Sequence, residues 1–127
     1  MRAEKCPFCS IGQDRVVVAG SHAIAIADKF PLAKGHTLVI PKKHVRSIFE
    51  LDANEAADLW GLLANVRQLL VNKFRPDGLT VGINDGNAAG QTVSHGHIHM
   101  IPRYKGDVEE PRGGVRWIIP SKAKYWQ

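Results

Sequence analysis

Residues 95–99 read His95-Gly96-His97-Ile98-His99, which places three of the six histidines on alternate positions of one short segment. In an extended strand alternate side chains share a face, so the three imidazoles line up about 6.5 to 7 Å apart. A helix turns about 100° per residue and scatters them around its axis. Isoleucines at 98 and 101, with Met100 between, favour a strand, expected here over residues 95–102 and ended by Pro102. Three imidazoles on one buried face cost desolvation unless each finds a partner, so such a row points to chemistry rather than core filling.

The rest of the chain supplies a frame for that strand. Residues 15–18 and 23–27 alternate or run apolar around Gly20-Ser21, and residues 37–40 form a third run stopped by Pro41. Pro31 and Gly35 mark residues 30–35 as a loop. Asp52, with Glu55 three residues later, is a capping box that opens a long helix. Ala56, Leu59, Trp60, Leu63, Val66 and Leu70 recur at helical spacing and give it one apolar face. Pro76-Asp77-Gly78 is a turn, residues 79–84 a strand, and residues 115–119 a further segment able to pair. Strands, one dominant helix and more strands predict an α+β fold with a mainly antiparallel sheet of about five strands.

At 127 residues the chain is expected to form a single domain, 1–127, with a core large enough to need no disulfide framework. No apolar run approaches the roughly 20 residues of a membrane span, and the first nine residues carry no signal-like apolar stretch. The protein is therefore expected to be cytoplasmic and not membrane-bound. A net charge of +5 suits an anionic small molecule. The densest basic cluster, Lys42, Lys43 and Arg46, lacks interleaved aromatics, which argues against extended nucleic-acid binding.

Two chemistries suit the histidine row. In one, a neutral His97 attacks phosphorus, its other ring nitrogen giving its proton to an acceptor such as a backbone carbonyl. In the other, two or three of the imidazoles hold a catalytic zinc. The preceding loop, Asn84-Asp85-Gly86-Asn87-Ala88-Ala89-Gly90-Gln91-Thr92, favours the first. Gly86 and Gly90 let backbone N–H groups approach an anion, and Asn84 and Gln91 offer neutral donors for phosphate oxygens.

Taken together, His95-Gly96-His97-Ile98-His99-Met100-Ile101, the preceding Gly90-Gln91-Thr92-Val93, and Gly35-His36-Thr37-Leu38-Val39-Ile40-Pro41-Lys42-Lys43-His44 resemble the histidine triad superfamily. The likeness runs over residues 6–103. It implies a nucleotide hydrolase or transferase that acts on the α-phosphate of dinucleoside polyphosphates or nucleoside phosphoramidates, with no cofactor needed for the chemistry. His97 corresponds to the nucleophile, His99 to a phosphate contact, and His36 to the histidine that supports it. Asp28 falls at the ribose-binding position. Asn84, Gly90, Gln91, Thr92 and Val93 fall in the phosphate loop, and Phe8, Ile26 and Phe30 among the base-pocket walls.

Gly96 departs from the signature, which has an apolar residue there, and is expected to leave the strand locally less well backed. Residues 101–107, followed by Arg112-Gly113-Gly114-Val115-Arg116-Trp117, resemble members that cleave dinucleoside polyphosphates. Their arginines would hold a longer polyphosphate. The resemblance also implies a purine nucleotide ligand and a homodimer, with Trp117, Tyr125 and Trp126 near the partner's site. A non-catalytic nucleotide sensor on the same fold and a zinc hydrolase are the alternatives.

Cys6-Pro7-Phe8-Cys9 lacks the strand-then-helix setting of a redox motif and reads either as half of a tetrahedral zinc site or as a pair of unmetallated thiols in a small core. Zinc-bearing relatives in the superfamily pair such cysteines with two histidines, which by position are His44 and His95. The implied zinc is structural. His22 belongs to no motif and reads as a surface residue.

Overall fold

A computed structural model describes residues 5–126. Five strands, β1 (Val16–Ala19), β2 (Ala23–Ala27), β3 (Thr37–Pro41), β4 (Gly78–Gly82) and β5 (Ile98–Arg103), join a long helix α1 (Ala53–Phe74) and a short α2 (Pro120–Ala123). The sheet is antiparallel in every pairing, in the order β1-β2-β3-β5-β4. The last strand to form along the chain therefore inserts between β3 and β4, and brings the histidine segment to the centre of the sheet. No helix among the described residues is long and apolar enough to cross a membrane.

The two faces of the sheet are packed differently. Ala23 and Ala25 of β2, Val39 of β3, and Ile98 and Met100 of β5 meet Leu59, Leu62, Leu63, Val66 and Leu70 of α1. The small alanines let the helix lie close. On the other face Ile26, Leu38 and Ile40 form a second cluster with Phe8, Ile11 and Ile24. Each strand residue of β3 is consequently buried. Residues paired directly across an antiparallel ladder share a face. Because His99 pairs Leu38, its ring lies on the second face, away from α1.

The capping box at Asp52 and Glu55 forms as the sequence indicates. Trp60 does not join the buried stripe: it is 47% exposed, and Leu62 takes its place in the core. The segment 115–119 does not pair. Gly113 and Gly114 hold positive φ and turn it into a 3-10 helix, Gly114–Ile118, and Arg116 fastens it by donating to the carbonyls of Lys122 and Ala123.

β5 begins three residues later than expected and continues through Pro102. The shift arises because the Gly96 N–H donates at 2.8 Å to the Val45 carbonyl, outside any strand ladder. At Pro102 β3 has ended and only β4 runs alongside, a setting in which proline is tolerated.

Gly96 is a close approach and not a weak spot. A Cβ there would stand 2.8 Å from Ile48 N, 2.9 Å from Ile48 Cγ2 and 3.2 Å from the Ser47 carbonyl carbon. The segment leading into α1 occupies the space that a side chain would fill. Gly96→Ala is expected to destabilise the protein by about 1–3 kcal/mol, the usual cost of overpacking against backbone. Equilibrium urea unfolding checks this; an unchanged midpoint would refute the close-approach reading.

Candidate functional site

Backbone geometry sets the state of each imidazole. His97 Nδ1 lies 2.9 Å from the His95 carbonyl oxygen. A carbonyl only accepts, so Nδ1 carries the proton and Nε2 of the neutral ring keeps a free lone pair. His97 is 7% exposed, and the Phe8 ring stands edge-on to it with centroids 5.1 Å apart. Its ring centroid is also 5.1 Å from that of His99. The rings lean together more closely than an ideal strand gives, because residues 95–97 precede β5.

His36 sits at the end of a loop that folds back on itself. The Asp28 N–H donates to the His36 carbonyl at 3.0 Å, and Gly35, at φ 90°, makes the return possible. The Leu32 N–H donates at 3.0 Å to His36 Nδ1. That nitrogen is thus an acceptor, and the proton of neutral His36 must sit on Nε2. Nε2 in turn faces His99 Nδ1 at 3.0 Å and Asp28 Oδ2 at 3.2 Å. With Nδ1 of His99 accepting, its own proton lies on Nε2, available to a ligand. Burial pushes the His36 pKa below the ordinary histidine value, with Asp28 opposing. Burial also pushes His99 down, joined by His97 and His36 and opposed by Asp28. Both shifts favour the neutral rings that this chain of tautomers requires.

In the loop before the histidines, Gly86 and Gly90 hold positive φ around a 3-10 turn, Asn87–Ala89. Gln91 is buried, and its amide is occupied within the protein. Nε2 donates to the carbonyls of Arg46 and Val93 at 2.8 and 2.9 Å, and Oε1 accepts the Gly86 N–H at 2.8 Å. Gln91 therefore clamps the loop, and the Ala89, Gly90 and Gln91 N–H groups are likewise bonded within it. Asn84 and Thr92 are exposed and Val93 half-buried. Phe8 and Ile26 lie on the face of His99, whereas Phe30 projects at 79% exposure.

The chain's ends are likewise engaged. Arg103 donates to both carboxylate oxygens of Asp107 at 2.7 and 2.9 Å and holds its carboxyl down to about 2. Arg112 stacks over Trp126 and Arg116 over Tyr125. These arginines, expected to serve a polyphosphate, are spent on the folded segment itself. One cleft, of about 500 Å³, lies under the 28–36 loop against the end of α1, and another, of about 760 Å³, under residues 108–124. Neither is lined by His97.

Cys6, Cys9, His44 and His95 meet behind the histidine row, and their ligand atoms all lie within 4.8 Å of one another. Cys6 Sγ is 3.4 Å from His95 Nδ1, and Cys9 Sγ is 3.0 Å from His44 Nδ1. A tetrahedral zinc with bonds of about 2.3 Å to sulfur and 2.0 Å to nitrogen spaces its ligands about 3.3 to 3.8 Å apart, so the donor set fits this ion. His95 Nε2 donates to the Pro41 carbonyl at 2.8 Å, which turns the Nδ1 lone pair toward the cysteines. Asp28, His36 and His99 also converge within 4.8 Å. That trio does not suit a metal, because the Leu32 N–H keeps the His36 proton on the nitrogen that faces the group.

The Leu32 and Pro41 backbone groups that fix the His36 and His95 rings are not visible as motifs. The nearest signal is the spacing of eight residues from Asp28 to His36, ending in glycine. His22 is exposed and joins neither cluster; its backbone N–H caps onto Asp58.

Known proteins resemble this chain in sequence and in fold. "Protein hit" of Bacillus subtilis is 38% identical over 110 residues, which is 83% of this chain and 76% of that protein. The bis(5'-adenosyl)-triphosphatase of Dictyostelium discoideum is 38% identical over 99 residues, covering 78% of this chain and 66% of the enzyme. A Zn-bound histidine triad family protein from Mycobacterium smegmatis superposes with a TM-score of 0.73 at 30% identity, covering 84% of this chain and 80% of that one. The pattern of the HIT domain family matches residues 12–106. With that match, and with the histidine row set on the five-stranded sheet, the chain belongs to the HIT domain family.

Proposed function

We propose that this protein is a nucleotide hydrolase or transferase that passes through a covalent nucleotidyl-His97. One observation carries the reading: the His95 carbonyl holds the His97 proton on Nδ1, which frees Nε2 beside an outward-facing His99 N–H. Nε2 attacks the α-phosphorus, a P–N bond forms, and the bond to the leaving group breaks with its electron pair leaving on that group. His99 Nε2–H, with the exposed Asn84 and Thr92 side chains of the glycine loop, stabilises the charge on the phosphoryl oxygens. Water then attacks the same phosphorus, the P–N electron pair returns to Nε2, and the nucleoside monophosphate leaves as the water proton passes to solvent.

Dinucleoside polyphosphates and nucleoside phosphoramidates are the substrate classes. The Dictyostelium relative's name supports the first. Zinc, held by Cys6, Cys9, His44 and His95, supplies structural bracing and takes no part in the steps above. The zinc-bound mycobacterial neighbour supports it. A homodimer fits the open edge of the sheet at β4, where Val81 is 40% exposed, and the exposed Trp60 and Leu69 of α1.

The test is a panel of diadenosine polyphosphates and adenosine phosphoramidates, with intact-protein mass spectrometry after rapid acid quench. Turnover with a nucleotidyl adduct mapped to His97 is expected. Turnover of none of the panel, or adduct on another residue, would refute the mechanism.

A further inference from the structure

We infer that Asp28 is a positioning residue for the reaction proposed above: its carboxylate holds the His36–His99 pair and lets it carry positive charge against a bound phosphate. This role differs from the sugar contact that the family resemblance implies, and it rests on that reaction. Both carboxylate oxygens are turned inward. Oδ1 accepts the Phe30 N–H at 2.8 Å, and Oδ2 lies 3.2 Å from His36 Nε2 and 3.9 Å from His99 Nδ1. The side chain is 13% exposed.

The need for this carboxylate follows from counting protons. In the neutral pair one proton, on His36 Nε2, lies between two acceptors, His99 Nδ1 and Asp28 Oδ2. As negative charge builds on the phosphoryl oxygens, a doubly protonated His99 becomes favourable, because it donates from Nε2 as a cation. Its second proton then sits on Nδ1 and faces the His36 N–H across 3.0 Å, an N–H to N–H repulsion. The Leu32 N–H prevents His36 from relieving that clash by changing tautomer. Asp28 Oδ2 accepts from His36 Nε2 at 3.2 Å and, standing 3.9 Å from His99 Nδ1, offsets the charge on that ring. The titratable groups facing His99 are His97, His36 and Asp28, and Asp28 alone among them favours the cation.

The substitution Asp28→Asn keeps the acceptor for Phe30 but removes the charge. Its effect is measured with adenosine 5′-phosphoramidate and with the 2′,3′-dideoxy analogue. The expected result is a kcat loss of about tenfold or more, equal for the two sugars, with KM changed less than about threefold. A loss confined to the ribose substrate would overturn the proposal and assign the carboxylate to the sugar. An independent readout needs no turnover. In ¹⁵N NMR of the zinc-loaded protein, Asp28→Asn is expected to lower by about one pH unit the point at which His99 takes its second proton. An unchanged His99 titration refutes the inference whether or not any nucleotide is cleaved. In the unmodified protein, His36 is expected to hold its proton on Nε2 from pH 6 to 8. A proton on Nδ1 overturns the argument even if the variant fails to fold.

Discussion

His97→Asn is expected to lower kcat/KM by about 10⁴-fold or more, the scale on which loss of a nucleophile is felt. The substitution removes the Nε2 lone pair and cannot be rescued from within the site. His99 Nδ1 is already occupied by the His36 proton, its Nε2 carries a proton of its own, and His95 Nδ1 faces the cysteines. Stability should change little, because an asparagine amide can still donate locally to the His95 carbonyl that His97 now satisfies. Binding of a nucleoside monophosphate should persist within several-fold, since His99 and the glycine loop remain. Steady-state kinetics and calorimetry on one preparation separate these effects. A variant that keeps a tenth of the activity would show that His97 is not the attacking group.

Removing zinc is expected to act on the fold more than on the chemistry. The four ligands tie residues 6–9 to the His44 turn and to His95, and Cys6 and His95 are fully enclosed. Without the ion, the buried Cys6 and His95 and the more open Cys9 and His44 crowd one another with no charge to organise them. Chelation, or Cys6→Ser with Cys9→Ser, should lower the melting temperature by about 10 °C or more, corresponding to about 3 kcal/mol for a domain of this size. The ligands bind as thiolates and neutral imidazoles, so the metal holds their folded-state pKa values down. The stabilisation therefore weakens as pH falls and protons compete with the metal for its ligands. Activity measured at low temperature should fall only in proportion to the fraction unfolded. Full loss of kcat in a chelated protein that remains folded would instead place the metal in the reaction.

Much of this molecule can be read from residue order, because its strongest signals are local. The alternation at 95–99, the capping box at Asp52 and Glu55, and the stripe from Leu59 to Leu70 each depend on spacings of two to four residues. Such spacings fix which side chains share a face before any tertiary contact forms. The antiparallel sheet and single long helix follow from them, and likeness to a known family names the imidazoles that matter. Residues 115–119 show where this fails. Their composition allows a strand, but two glycines with positive φ and the ties from Arg116 to residues 122 and 123 turn them into a helical coil.

The protonation state of the site rests on backbone partners, some near along the chain and some far, that side-chain spacing does not encode. The proton of His97 is fixed by a carbonyl two residues away, but that of His36 is fixed by a loop N–H, and that of His95 by the carbonyl of Pro41, 54 residues distant. Gly96 looks like a defect in the signature until residues 47–48 are found to pack against it, and Gln91 looks like a phosphate donor until its amide is found spent on Arg46 and Val93. Side-chain spacing along a strand is a property of covalent geometry and can be read directly. The hydrogen-bond partner of a ring nitrogen depends on which distant backbone group the fold brings within about 3 Å, and that emerges only when the chain has closed on itself.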